Sequence, residues 1–108
     1  MKQHITSLLT ILTALSMLSA CSWVKTTKSG QQVTVKTYQQ VTDCRKLGYT
    51  RSSVLDKIGF FQRDTDTMTK ELQILAQNEA ALMKGNTIVA RGPVKNGQMI
   101  FDVYLCRP

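Results

Sequence analysis

The run DTDTMTKELQILAQNEAALMKGNTIVA, residues 64–90, decides the fold. Within it, Met68, Leu72, Leu75, Leu82 and Met83 fall on one stripe at helical spacing, which predicts an amphipathic helix over 67–84. Asp64 or Asp66 can cap its start, because a carboxylate there accepts from backbone amides that have no partner inside the helix. Lys84 and Gly85 form a stop: a cation beside the last carbonyls, then a residue free to take positive φ. Thr87, Ile88, Val89 and Ala90 follow as a short β-branched segment, read as a strand. A helix delivered so directly into a strand implies a sheet for its apolar face to cover.

Toward the C-terminus, Lys95-Asn96-Gly97-Gln98 contains the Asn-Gly pair of a type I′ hairpin turn, and 99–106 reads as the last strand. Toward the N-terminus, Val33, Val35 and Thr37 alternate with Thr34, Lys36 and Tyr38, the pattern of a half-buried strand. A second strand over 47–54 sets Leu47, Tyr49 and Arg51 on one face, with Gly48 as a bulge position. The segment 57–63 holds Ile58-Gly59-Phe60-Phe61, an apolar loop expected to dock on the core. The order is β-β-α-β-β. The expected fold class is therefore α+β, a small single domain with one helix packed on an antiparallel or mixed sheet.

The first twenty residues read as an address. A short polar start with Lys2 precedes an apolar run over 5–20 that includes Leu8, Leu9, Ile11, Leu12, Leu15 and Leu18. A spanning helix needs about 20 apolar residues, and this run is shorter and broken by Thr10, Thr13, Ser16 and Ser19. It has the form of a signal peptide. Leu18-Ser19-Ala20-Cys21 resembles the bacterial lipobox, in which the cysteine thiol takes a diacylglycerol group, the leader is cut before it, and the new amino terminus is acylated. Ordinary secretion with Cys21 as a free or paired thiol is the alternative. In enterobacterial lipoproteins an aspartate after the cysteine retains the protein in the inner membrane, so Ser22 implies the outer membrane, with the domain facing the periplasm. The organisation expected is a signal peptide over 1–20, a lipidated N-terminus and tether over 21–32, and an α+β periplasmic domain over 33–108. Trp23, Lys25 and Lys28 would be membrane-proximal, the indole at the headgroup boundary and the lysines near anionic lipid.

Composition limits the chemistry. The chain has 108 residues, 14 Lys+Arg against 7 Asp+Glu, and a formal charge of +7. Processing before Cys21 would leave 88 residues and a side-chain charge of +6. It would also remove His4, the one histidine. A mature chain without histidine has no Ser-His-Asp or Cys-His catalysis and no histidine-ligated metal. With Cys21 assigned to lipid, Cys44 and Cys106 remain, and in an oxidising periplasm they are expected to form one disulfide. A redox-active pair is the other reading, without the CxxC spacing or activating neighbour it usually needs. Asp64, Asp66 and Glu71 lack the ligand count of a calcium loop and read as capping and a solvated face. The cations are scattered rather than striped, so nucleic acid is not an expected partner.

Glu79 stands out because it falls near the centre of the Met68, Leu72, Leu75 and Leu82 stripe, where an unpaired carboxylate is costly. Two readings stay open. It is bonded to backbone or to an arginine such as Arg51 or Arg91, or it is a partner contact in a partly open groove. Catalysis by paired carboxylates would need Glu79 to converge with a group such as Asp102. No catalytic residue, metal or cofactor is expected, and the chain is read as non-enzymatic.

Cys21-Ser22-Trp23-Val24, Asp43-Cys44-Arg45-Lys46-Leu47-Gly48, Asn78-Glu79-Ala80-Ala81, Gly85-Asn86-Thr87-Ile88-Val89 and Val103-Tyr104-Leu105-Cys106 together resemble a family of small proteobacterial lipoproteins that forms a domain of unknown function. The likeness covers nearly the whole mature chain. More distantly the chain is similar to the Rcs envelope-stress sensor lipoproteins, which share a lipobox, a tether and a helix running into a Gly/Ala-Asn turn and strand. Those sensors carry two disulfides and a long proline-rich linker, whereas this chain has cysteines for one and lacks the linker. The resemblances imply an outer-membrane lipoprotein with a binding or accessory domain, touching an envelope protein, peptidoglycan or lipopolysaccharide. The alternative they imply is an envelope-stress sensor.

Overall fold

In a computed structural model, residues 24–107 are described. The segment expected to be a signal peptide, Cys21 and Trp23 lie outside these residues. Among the described residues no helix is long and apolar enough to cross a membrane.

The elements run β1 (Thr34–Val35), β2 (Arg45–Ser53), β3 (Lys57–Ile58), β4 (Phe61–Gln62), α1 (Thr65–Leu82), β5 (Thr87–Ala90) and β6 (Gln98–Leu105). Two short 3-10 turns, Gly30–Gln32 and Tyr38–Gln40, flank β1. The main sheet has the order β1-β5-β6-β2, with β1 parallel to β5 and the other pairs antiparallel. It is a mixed sheet with one helix packed on it, as the residue pattern predicts.

β1 and β2 are consecutive in the chain yet occupy opposite edges of the sheet. The connection, residues 36–44, therefore crosses one face, while α1 occupies the other. We call the crossing segment the strap. Under α1, Leu72, Ala76 and Ala80 meet Ile88, Met99, Phe101 and Val103, all 5% exposed or less. Under the strap, Val41 packs with Val89 and Cys106. The strap ends at Cys44, whose disulfide to Cys106 has a Cα–Cα distance of 4.4 Å. The expected pairing is present, and it ties the strap to the end of β6.

The helix starts two residues earlier than its apolar stripe suggested. Asp64 is the cap, accepting from the Thr67 amide at 3.0 Å and from its hydroxyl at 2.9 Å. The expected burial pattern needs correction. The buried positions are Met68, Leu72, Ala76 and Ala80, a line of i+4 steps, whereas Leu82 is 79% exposed. The alanines lie innermost because small side chains let the helix approach the sheet closely. Glu79 is consequently exposed on the flank and not at the centre of the buried face.

The helix stop also works differently from the reading of Gly85 as the left-handed residue. Lys84 takes that conformation, with φ 66°. Its amide reaches the Ala81 carbonyl at 3.0 Å and the Gly85 amide reaches Ala80 at 2.8 Å, the paired bonds of a Schellman ending. Gly85 is required for space, since a Cβ there would sit 2.5 Å from Val103 Cγ1. The Asn96-Gly97 turn does have both residues left-handed, φ 52° and 70°, as a type I′ turn demands.

Two further expectations change. The register of β2 on β6 shifts between Lys46 and Gly48, so the bulge at Gly48 is real, with Leu47 as its extra residue. It breaks the face on which Leu47, Tyr49 and Arg51 were grouped. Leu47 packs on the α1 core, while Thr50 and Ser52 are buried and Tyr49 and Arg51 alternate outward. The apolar loop at 57–63 does not dock on the core. It forms the small β3–β4 hairpin, with Ile58 at 64%, Phe60 fully exposed and Phe61 at 80%. Its two-residue strands pair only with each other, which holds the tip away from the sheet.

Candidate functional site

The sheet face opposite α1 is only partly covered, and its polar centre is Asp102. Alternation along β6 sends Phe101 and Val103 to the helix side and Asp102 to the strap side. β6 is flanked by β5 and β2, so Asp102 lies opposite both Val89 and Tyr49 in the ladder. It is 3% exposed, and a buried carboxylate needs partners.

Three side chains reach it, each from a different part of the chain, and a fourth lies under one of them. Tyr38 of the strap donates its hydroxyl to Oδ2 at 2.6 Å. Arg91, just beyond β5, donates Nε and Nη2 to Oδ1 at 3.1 and 2.8 Å. Lys46 at the start of β2 brings its ammonium to Oδ1 at 3.2 Å. Tyr49 lies beneath the Arg91 guanidinium, 4.9 Å from its ring centre. Both carboxylate oxygens are thereby occupied.

The electrostatics follow from that geometry. Burial pushes the Asp102 carboxyl up, but the hydrogen bonds from Arg91, Tyr38 and Lys46 together outweigh it and bring it down to about 2. Its negative charge in turn acts on the donors. The hydrogen bond to Asp102, aided by burial and by the carboxylate charge, pushes the Tyr38 phenol up to about 12. The same carboxylate raises the Arg91 guanidinium further. The cluster is a saturated ion network, and its chemical effect is to hold a guanidinium in a set orientation.

Beside it, where β2 ends and β6 begins, lies a groove of about 440 Å³ lined by Arg51, Arg91, Pro93, Lys95, Met99 and Ile100, among others. Three cations line it and no carboxylate does. Arg51 stands opposite Ile100 in the ladder, and Lys95 is on the β5–β6 hairpin.

The residues singled out from sequence distribute as follows. Cys44 and Cys106 meet in the disulfide. Lys25 and Lys28 are both exposed, and the Lys25 carbonyl accepts from Asn78 Nδ2 at 2.9 Å, so the polar run that precedes β1 is docked on α1. Glu79 shares a groove on the helix side with Thr50, Arg51, Ser52 and Leu75. Its side chain makes no hydrogen bond or ion pair among the described residues, neither to backbone nor to Arg51 or Arg91, and Arg91 is paired with Asp102 instead. Glu79 and Asp102 lie on opposite sides of the sheet, so they do not form a paired-carboxylate cleft. Asp64 caps α1, and Glu71 is held by Arg63 through bonds of 2.6 and 3.1 Å. Among the described residues no three His, Cys, Asp or Glu side chains are grouped to hold a metal.

Sequence reasoning did not assemble Tyr38, Lys46, Arg91 and Asp102. One signal was available: Asp102 is the lone charge in the apolar run 99–105, flanked by inward residues. Nothing local to Tyr38 or Arg91 marks them as its partners.

A family model described as a domain of unknown function, DUF4156, matches residues 24–106. No curated protein and no solved structure matches the chain.

Proposed function

The chain belongs to the DUF4156 family, a domain of unknown function, and from that premise we propose that it is a bacterial outer-membrane lipoprotein, anchored through acylated Cys21, whose domain faces the periplasm as a non-catalytic binding module. One observation carries the reading. The lipobox-like Leu18-Ser19-Ala20-Cys21 stands immediately before the matched region, and the other two cysteines are consumed by each other. Cys21 is then the cysteine left for lipid. Acylation at thiol and amino terminus would give stable attachment, since two lipid signals already suffice.

The open sheet face supports the binding role. Its polar network is closed on itself and exposes arginines, a lysine and the half-exposed Tyr49 ring. An envelope protein, peptidoglycan or lipopolysaccharide would meet such a face. Glu79 is a second contact candidate on the helix flank. Trp23, Lys25 and Lys28 would lie near the headgroups.

Metabolic labelling with palmitate tests the anchor. The wild type takes up label and fractionates with the outer membrane. Cys21→Ser loses the label and leaves that fraction. Label retained in Cys21→Ser would refute lipidation at that position.

A further inference from the structure

We infer that the groove between β2, β6 and the β5–β6 hairpin is a binding site for a phosphoryl group, with Arg91 as its oriented donor and Arg51 and Lys95 as its flanking cations. The inference deepens the binding-module reading and rests on it.

The argument begins with Arg91. A free surface arginine must lose rotamer freedom before it grips a ligand. Arg91 has already lost it, because Nε and Nη2 are fixed on Asp102 and the guanidinium plane lies over Tyr49. Its Nη1 makes no hydrogen bond among the described residues, so one edge of the fork is presented ready-made. The carboxylate that orients it is saturated by Tyr38 and Lys46 as well and does not compete with an incoming anion. Orientation of a donor by a buried partner is the arrangement expected of a recognition site.

The groove supplies the rest. Arg51 and Lys95 line it, and their side chains make no hydrogen bond or ion pair among the described residues. Arg51 and Lys95 have no facing carboxylate, since Asp102 is already taken up by Arg91, Tyr38 and Lys46, and an anion relieves their repulsion. A planar arginine edge with two further cations matches the several acceptor oxygens of a phosphoryl group. The volume of about 440 Å³ exceeds what an isolated phosphate fills, so the group arrives attached to a larger body. Pro93 and Ile100 provide apolar wall for that body. A phosphorylated sugar and a phospholipid headgroup share this chemistry.

Isothermal titration of the full chain, held in a phosphate-free maltoside detergent, tests the site with two probes. Glucose 1-phosphate represents a soluble monoester. Glycerophosphoglycerol, a deacylated lipid headgroup, represents the diester. Saturable binding of either, absent with glucose, is the expected result, and the preferred probe identifies the source. Arg51→Gln with Lys95→Gln should weaken it at least about tenfold, the scale of a lost charge-assisted hydrogen bond. Neither of those residues supports the fold, so circular dichroism of the double variant should match the wild type. Arg91→Lys, which keeps the charge but not the fork, should also weaken binding. The absence of saturable binding by both probes, or equal binding by the folded double variant, would overturn the proposal. That failure would leave palmitate labelling at Cys21 untouched, so the two readings fail separately.

Discussion

Asp102 shows how one side chain can organise a face. Its folded carboxyl lies at about 2 against an ordinary 3.8. A depressed carboxyl contributes stability above its unfolded value, and that contribution is lost as pH falls through the folded one. The window is therefore between about pH 4 and pH 2, and the contribution is about 2 kcal/mol. Asp102→Asn should cost a similar amount near neutrality. The stability difference between wild type and variant should shrink as pH falls through that window. Urea midpoints measured across the acid range check this, and a difference independent of pH would contradict the network. The residue itself was readable as an anomaly in an apolar strand. Its partners were not, because Tyr38 lies 64 positions away and reaches it only after the strap has crossed the sheet.

Among the elements, the helix is where local pattern and packing part company. Leu72 and Leu82 both fall on the apolar stripe, yet Leu72 is 0% exposed and Leu82 79%. Leu72→Ala should cost about 2–5 kcal/mol, the range for truncating a buried leucine. Leu82→Ala should stay within about 0.5 kcal/mol, as surface changes usually do. Denaturant titrations of the two variants make the comparison, and equal costs would mean that the buried face is misassigned. The existence of the helix, a carboxylate cap at Asp64 or Asp66 and its sharp end were legible in residues 64–86, since each depends on neighbours in the chain. The buried face was not, because a stripe of alanines carries little hydropathy signal and becomes innermost only when a sheet is pressed against it. The β3–β4 hairpin teaches the same point in reverse. Apolar residues there suggested docking, but the two-residue strands pair with each other and leave Phe60 and Phe61 outside.

For the whole molecule, the strap and the disulfide act together. The strap carries the chain from one sheet edge to the other, and Cys44–Cys106 fastens its end across a separation of 62 residues. Closing a loop of that length restricts the unfolded chain by about 4 kcal/mol in the chain-entropy account. Reduction, or the double change Cys44→Ala with Cys106→Ala, should lower the denaturation midpoint accordingly. An unchanged midpoint would show that the cross-link adds nothing to what strap packing already supplies.

Taken alone, the sequence determined the class of fold, the capped helix, the type I′ turn, the pairing of Cys44 with Cys106, and the lipobox-like Leu18-Ser19-Ala20-Cys21. Each is a property of adjacent residues or of a count. Tertiary structure alone decided that β1 and β2 lie at opposite edges, that the strap covers part of one sheet face, and that Arg91 serves Asp102 rather than Glu79. The reason is physical. Periodicity reports which residues seek burial, but a carboxylate in the middle strand of a sheet acquires partners only from whatever the topology carries across it.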